Sequence, residues 1–496
     1  MHMSIVEEIT KIAQNTPDSI AIESLDLNVS YKELIYLVER YSKFFEKKSE
    51  IGFAIDLDNS PEWVVLDLAL LNAKKVNIPI PGFFTNGQVK HLLKDGGVQV
   101  VLTYKPENFN GVTDQAFNLF GKKIYQVVLD NSQVNYPVDT VKVTYTSGTT
   151  GEPKGVCLDS LAISSVVHSI VQRSQVNSSD RHFSVLPMTT LLENIGGLYA
   201  TLACGATAII YTQEDIGITG ATGINPLKFI QTMNESNPTT TILIPQMLDV
   251  MVSMLESHFD YLKSMRFVAI GGAPISKNIL IRAEDIGLPV YEGYGLSEAT
   301  SVATVNGPGV KKMGTVGKVL DHVDLKIASD GEVFIKGSIF KGYLGEGLYS
   351  LDADGYLPTG DIGFIDEDGF LTLKGRKKNI FITSFGRNVA PEWVERELIA
   401  QPGLIQAAVF GEGKPWNIAV ILANSDIDID KAIQQANAIL PDYAKVSNWI
   451  RADEPFSVAN NQLTGTVRVK RDVIHTHYQE RIKEVYQNQK KEAASW

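Results

Sequence analysis

The sequence predicts an α/β protein of more than one domain, and three observations carry that reading. The chain has 496 residues, more than a single hydrophobic core usually supports. Short apolar runs alternate with capped helical segments as far as Pro245, the pattern of a parallel or mixed sheet with crossover helices. From Gly314 to Thr372 the chain turns β-rich, with turn signals at Ser329-Asp330-Gly331, Asp352-Ala353-Asp354-Gly355 and Asp366-Glu367-Asp368-Gly369. A basic turn at Leu373–Asn379 then marks a boundary, giving expected domains of 1–376 and 377–496.

In chain order, residues 4–15 and 31–46 read as amphipathic helices, with Ser30 and Glu33 spaced as a capping box. Ile51–Leu57 reads as a strand. Asn59-Ser60-Pro61-Glu62 then caps a helix to Asn72, followed by a strand at Val76–Ile80. Helix Gln88–Lys94, strand Val98–Thr103, helix Leu158–Gln175 and strand Arg181–Pro187 continue the alternation. So do Gly196–Cys204, Thr207–Tyr211, Pro226–Glu235, Thr240–Pro245 and a buried strand at Arg266–Ile270.

Composition narrows the function. The balance of 44% apolar and 21% charged residues is that of an ordinary soluble globular protein, and no apolar run is long enough to span a membrane. No integral membrane segment or signal peptide is expected. A net charge of −12 argues against a nucleic-acid partner, although the last domain is nearly balanced and carries a basic cluster at Arg468, Lys470 and Arg471. Two cysteines, Cys157 and Cys204, without metal-ligand spacing fit a reducing, cytoplasmic setting.

The chemistry concentrates in VTYTSGTTGEPKGV, Val143–Val156. Its β-branched and aromatic start favours a strand. Thr146, Ser147, Gly148, Thr149, Thr150 and Gly151 then supply hydroxyls and glycines that let backbone N–H groups face an anion. Lys154 adds a mobile point charge suited to polyphosphate. The spacing is not that of a Walker loop. Further on, Val290-Tyr291-Glu292-Gly293-Tyr294-Gly295-Leu296-Ser297-Glu298 reads as a strand–loop in which two glycines bracket an aromatic; Tyr294 is placed to stack on a purine and Ser297 to meet a phosphate oxygen. Glu298 is a hard oxygen ligand for Mg²⁺.

These motifs resemble the acyl-adenylate-forming superfamily: acyl-CoA synthetases, peptide-synthetase adenylation domains and luciferases. Ile380–Glu397, IFITSFGRNVAPEWVERE, is similar to long-chain fatty acyl-CoA synthetases, with which Glu193 also agrees. The resemblance implies a large N-terminal domain of two αβ layers with a small β-barrel-like subdomain, and a smaller mobile α+β C-terminal domain. It places Gly272, Ala273 and Pro274 beside adenine and acyl group, Asp361 on ribose, and Arg376 on ribose or phosphate. Lys378 occupies the hinge position, and Gly386 would line a pantetheine tunnel in the thioester-forming pose.

The sequence departs from the family at two points. Thr190 stands where an aromatic or histidine is usual near the acyl pocket, and Arg468 stands where a lysine bridges the acyl carboxylate and α-phosphate. Lys470 is the nearest lysine, on the same face as Arg468 if the segment is a strand. The expected reaction joins a carboxylic acid, a fatty acid first, to AMP from ATP and Mg²⁺, and then to a thiol, coenzyme A first. Two alternatives stand beside it: loading of an acyl carrier protein, and a non-catalytic nucleotide- or acyl-binding homologue.

Overall fold

In a computed structural model of the chain, residues 3–146, 153–219, 223–257, 262–346, 350–464 and 468–493 are described, with side chains to residue 487. Two large sheets organise the N-terminal part. A nine-stranded sheet runs from Lys318–Val319 through Thr304–Val305, Val290–Tyr294, Phe267–Ile270, Thr240–Leu243, Arg181–Phe183, Thr207–Ile209 and Ile20–Glu23 to Asn28–Ser30. Its interior strands pair in parallel and its edges antiparallel. The seven-stranded sheet repeats this plan, with strands Val100–Thr103, Gly52–Asp56, Val76–Asn77 and Thr140–Thr146 in parallel at its centre. Crossover helices cover the faces, as parallel pairing demands.

The helix Pro61–Asn72 begins at an N-cap where Ser60 Oγ accepts from Trp63 N–H, with proline in its first turn. It has no polar stripe because it is buried on every side. Asp67 at its centre reaches Lys142 of the seven-stranded sheet, and also Asn194 and Tyr199 from the other half. The expected capping box at Ser30 is only half made, since Ser30 Oγ accepts from Glu33 N–H without a recorded return bond. Ser4 with Glu7 and Thr85 with Gln88 form complete boxes instead.

Three elements differ from their sequence reading. Leu158 and Asp159, expected at the start of the helix Leu158–Gln175, end a strand instead: Lys154–Asp159 pairs antiparallel with Thr140–Thr146, and the helix begins at Ser160 behind an Asp159 cap. Leu192–Tyr199 is a π-helix, continuing as a short α-helix at Ala200–Ala203. Such wide turns recur at functional sites. The small β subdomain is a four-stranded antiparallel sheet, Val323–Ile327, Glu332–Gly337, Leu357–Ile365 and Leu371–Arg376, whose outer strands do not pair with each other.

The separate C-terminal domain is built on strands Leu404–Phe410, Asn417–Ala423 and Val446–Arg451. Alternation along Asn417–Ala423 feeds two cores. Ile418 and Val420 face Ile474 and Tyr478 of the last helix, while Ala419 and Ile421 face Val394, Leu398 and Ile433. The connection to the N-terminal part is the 3₁₀ turn Lys377–Asn379.

Candidate active site

The small β subdomain sets the first pair of groups. Its antiparallel register puts Asp361 opposite Arg376, and Arg376 Nε lies 3.0 Å from Asp361 Oδ1. Arg376 Nη1 donates to the Thr359 carbonyl at 2.7 Å. Tyr294, arriving from the nine-stranded sheet, donates its hydroxyl to Asp361 Oδ2 at 2.6 Å. Burial pushes the Asp361 carboxyl up, while Arg376 and the Tyr294 hydrogen bond pull it back. Burial and the Asp361 charge push the Tyr294 phenol well above its ordinary value. Tyr294 is therefore fixed by its hydroxyl as well as presenting a ring to the cleft.

On the seven-stranded sheet, Thr146 and Lys154 face each other at the ends of their paired strands, and neither is among the lining residues of the cleft. Ser147, Gly148, Thr149, Thr150 and Gly151 lie outside the described residues. Lys154 Nζ contacts Glu346 Oε1 at 2.5 Å and lies 5.1 Å from the centre of the Tyr343 ring. Tyr343 donates its hydroxyl to Glu298 Oε1 at 2.6 Å. The lysine and the glutamate singled out in the sequence are thus linked through one tyrosine. Both partners of the Lys154–Glu346 pair are about half exposed, so a phosphate could displace the glutamate at little cost.

Around the turn Ser297–Ala299 that carries Glu298, the backbone is tight. A Cβ on Gly295 would fall 1.7 Å from the Ser301 carbonyl oxygen, so only glycine fits there. Thr300 and Ser301 hold positive φ values of 55° and 104°, strained for residues with side chains. Gly293, Tyr294, Gly295 and Ser297 line the cleft, as do Gly272 and Ala273; Pro274 is not among the lining residues. Glu292 turns away: its carboxylate accepts from Gly314 N–H at 2.8 Å beside a separate small hollow with Leu280, Val290 and Asn306.

Arg468 and Lys470 part company. Residues 465–467 lie outside the described residues; on either side of them Arg468 and Lys470 belong to no strand, a bridge pairs Leu463 with Val469, and Thr464 N–H donates to the Arg468 carbonyl at 2.8 Å. Arg468 lines the cleft and donates from Nη2 to the Gly272 carbonyl at 3.2 Å. Its surface is exposed, and it lies near enough to Arg376, Asp361 and Glu298 to feel all three charges. Lys470 is tied to Asn461 Oδ1 and is absent from the lining. Lys378 stands exposed in the connecting turn, while its neighbour Lys377 bonds Asp330 and Glu332 at 2.7 Å each. Gly386, with φ 68°, sits in an open turn beside exposed Phe385, away from the cleft.

The sequence reading missed Tyr343, Glu346 and Thr359. A signal was available for the first two: KGYLGEG, Lys341–Gly347, brackets an aromatic with glycines just as residues 293–295 do. The cleft lined by Tyr294, Ser297 and Arg468 encloses about 720 Å³, and Lys154, Glu298, Asp361 and Arg376 are not among its lining residues. Beyond the polar groups it continues between the π-helix and the sheet, along Ile170, Gly196, Ala200, Ile242, Ala269 and Val302. Thr190 lines it, whereas Glu193 is wholly buried, accepting from Leu186 N–H and meeting His182 Nε2 at 3.0 Å.

The family model for AMP-binding enzymes matches residues 9–344, and that for the AMP-binding enzyme C-terminal domain matches residues 378–490. The chain belongs to the AMP-binding enzyme family. This AMP-binding enzyme is 25% identical to the long-chain-fatty-acid–CoA ligase FadD15 of Mycobacterium bovis, over 86% of each chain. It is 28% identical to the oxalate–CoA ligase of Arabidopsis thaliana, over 83% of this chain and 87% of that one. Its fold matches o-succinylbenzoate CoA synthetase (MenE) from Bacillus subtilis, solved with an acyl-adenylate intermediate. The TM-score is 0.77 at 22% identity, over 95% of this chain and 98% of the other. In type, the protein is an AMP-forming acid–thiol ligase.

The donor set of this AMP-binding enzyme suits a metal that arrives with its nucleotide. Among the described residues no three His, Cys, Asp or Glu side chains gather into a cage. A single carboxylate, Glu298, fits Mg²⁺, which is commonly held by one or two carboxylates and substrate phosphates. Among the described residues, no helix is long and apolar enough to cross a membrane.

Proposed function

We propose that this AMP-binding enzyme activates a fatty acid to its acyl adenylate and passes the acyl group to coenzyme A. One observation supports the substrate class: the lining of the cleft is mostly apolar and includes Ile170, Gly196, Ala200, Ile242, Ala269 and Val302, with Ser174, His182, Thr201, Thr240 and Thr241 among them. The lysine and arginine among the described lining residues are Lys105, beyond strand Val100–Thr103, and Arg468, beside Gly272. A second carboxylate on the acid would meet no lysine or arginine beside these residues, so no full charge would offset its desolvation.

In this reading a carboxylate oxygen attacks the α-phosphorus of ATP, and pyrophosphate leaves with the bonding electrons. The acid enters already ionised, so catalysis is positioning and charge neutralisation. Lys154 and the loop 146–151 hold the outer phosphates, Asp361 and Arg376 hold the ribose, and Glu298 holds Mg²⁺. Arg468 faces the α-phosphate and the acyl carboxylate with a planar fork that pairs bidentately. The thiol of coenzyme A then attacks the acyl carbon, AMP leaves, and the thiol proton passes to solvent. Between the two steps the C-terminal domain, residues 377–496, turns about Lys378 and brings Gly386 to the thiol's path.

Acid-dependent pyrophosphate release, across acids of rising chain length and without thiol, tests the reading. Each added methylene buried in the apolar wall is worth ~0.8 kcal/mol. The expected kcat/KM therefore rises about fourfold per methylene until the wall is filled. Release that favours short diacids instead would overturn the fatty-acid assignment. Coenzyme A and a pantetheine-bearing carrier, added in separate arms, identify the thiol.

A further inference from the structure

Arg468 sits on a loop and reaches the N-terminal part through one 3.2 Å hydrogen bond. Its aim therefore depends on what fixes the ends of that loop. The near end is closed locally: Arg468 N–H donates to Thr464 Oγ1 at 3.0 Å, and Lys470 N–H to the Gln462 carbonyl at 2.9 Å. The far end is Arg471, first residue of the helix Arg471–Ala493.

Arg471 is held by two carboxylates close to the hinge. Its Nη1 donates to Glu392 Oε1 at 3.0 Å and its Nη2 donates to Glu395 Oε2, with the side chains largely withdrawn from solvent. Glu392 Oε1 also accepts from Asn379 Nδ2, in the turn that joins the two domains. The other oxygen, Glu392 Oε2, is buried without a recorded partner, and a Cβ placed on Gly375 would meet it at 3.3 Å. Gly375 precedes Arg376. Glu392 therefore lies where the hinge, the Arg376 strand and the Arg468 loop converge.

We propose that Glu392 and Arg471 are positioning residues: they tie the Arg468 loop to the helix Pro391–Ile399 and the hinge turn, and so aim Arg468 into the cleft. Two residues, Val469 and Lys470, separate Arg468 from Arg471, so three Cα–Cα steps reach at most ~10 Å, too short to absorb much movement of the anchor. A shift of about 1 Å at a reacting group costs roughly a hundredfold in rate. The two carboxylates hold the guanidinium by both ends, which fixes direction as well as distance. Arg468 serves only the adenylation step, so the tie matters to that step alone. This inference rests on the role given to Arg468 above.

The test compares Glu392→Gln, Arg471→Lys and Arg468→Ala, each assayed in both half-reactions. Adenylation is read as ATP–pyrophosphate exchange with dodecanoic acid, and thioester formation as the reaction of supplied dodecanoyl-AMP with coenzyme A. Glu392→Gln and Arg471→Lys are expected to lower the exchange kcat about 10- to 100-fold with KM for ATP near the wild-type value. Thioester formation stays within about twofold, which also shows that the variants are folded. In the Arg468→Ala background, adding Glu392→Gln is expected to cost nothing further, because the two act through one group.

Equal losses in both half-reactions, or a full additional loss in the Arg468→Ala background, would overturn the positioning role. If Arg468→Ala leaves exchange intact, the functional reading fails as well. If only Arg468→Ala slows exchange, the positioning proposal alone falls. Should Glu392→Gln not fold, Glu392→Asp, which keeps the charge but shortens the reach, carries the same expectation.

Discussion

Lys142 carries its charge where solvent hardly reaches it. Its side chain is 2% exposed and that of Asp67, 2.8 Å away, is 0% exposed. Asn194 and Tyr199 also accept from its ammonium group, and Asp67 takes further bonds from Asn77, Asn194 and Tyr199. Burial lowers the Lys142 pKa and Asp67 raises it back. The cluster joins the strand Thr140–Thr146, the helix Pro61–Asn72 and the π-helix Leu192–Tyr199. Such a pair adds little net stability over an apolar replacement, but breaking it strands a charge. Lys142→Met is accordingly expected to cost about 3–5 kcal/mol in a denaturant titration. Adding Asp67→Asn should return a good part of that loss. A single variant as stable as the wild type would show that Asp67 is not left charged and unpaired.

At the scale of elements, the strand Val290–Tyr294 serves two faces of the molecule. Its last residues line the cleft, while Glu292 is buried against Gly314 N–H. Burial raises the Glu292 carboxyl to about 7, from an ordinary 4.5, with Gly314, Arg396 and Lys311 opposing the shift. Between those values the folded chain keeps a proton that the unfolded chain has released, so stability falls as pH rises through the window. Glu292→Gln should remove that share of the slope, matching the wild type at the acid end and exceeding it above pH 7. Glu395, also raised to about 7, retains its own share. Denaturation midpoints across the range decide the matter, and an unchanged slope would remove Glu292 from the account. The strand itself was legible in sequence, because a short apolar run before a glycine turn reads the same locally and in the fold. The same holds for the Ser60-Pro61 helix start. Less legible were the π-helix, where Gly196 and Gly197 sit in an apolar stretch, and the strand at Lys154, whose partner is across a hairpin. Asp361 and Arg376 were found separately, but their pairing depends on strand register. The contacts Tyr343–Glu298 and Arg471–Glu392 join segments far apart in the chain, which no local spacing encodes.

For the whole molecule, the arrangement of the two domains is a single pose with a chemical consequence. Arg468 reaches into the cleft while the Gly386 turn stands clear of it, with Phe385 73% exposed. This is the arrangement adenylation requires in the reading above, and it leaves the thiol step to a second pose. One contact across the domains, from Asn278 Nδ2 to the Ala400 carbonyl at 3.3 Å, offers a place to hold the first. Asn278→Cys and Ala400→Cys, joined by a short bis-maleimide, would tether the helix Lys277–Asp285 to the end of the helix Pro391–Ile399. The native thiols are poor competitors: burial pushes Cys157 up to about 12 and Cys204 up to about 11, so few thiolates are present at neutral pH. The tethered protein is expected to release pyrophosphate within roughly threefold of the untethered double variant, and to lose more than about tenfold in thioester formation. The unlinked double variant should do both. A tether that leaves both steps intact would mean that the thiol reaches the acyl adenylate without a turn about Lys378. One that stops adenylation instead would mean that this pose is not the one in which the acid is activated.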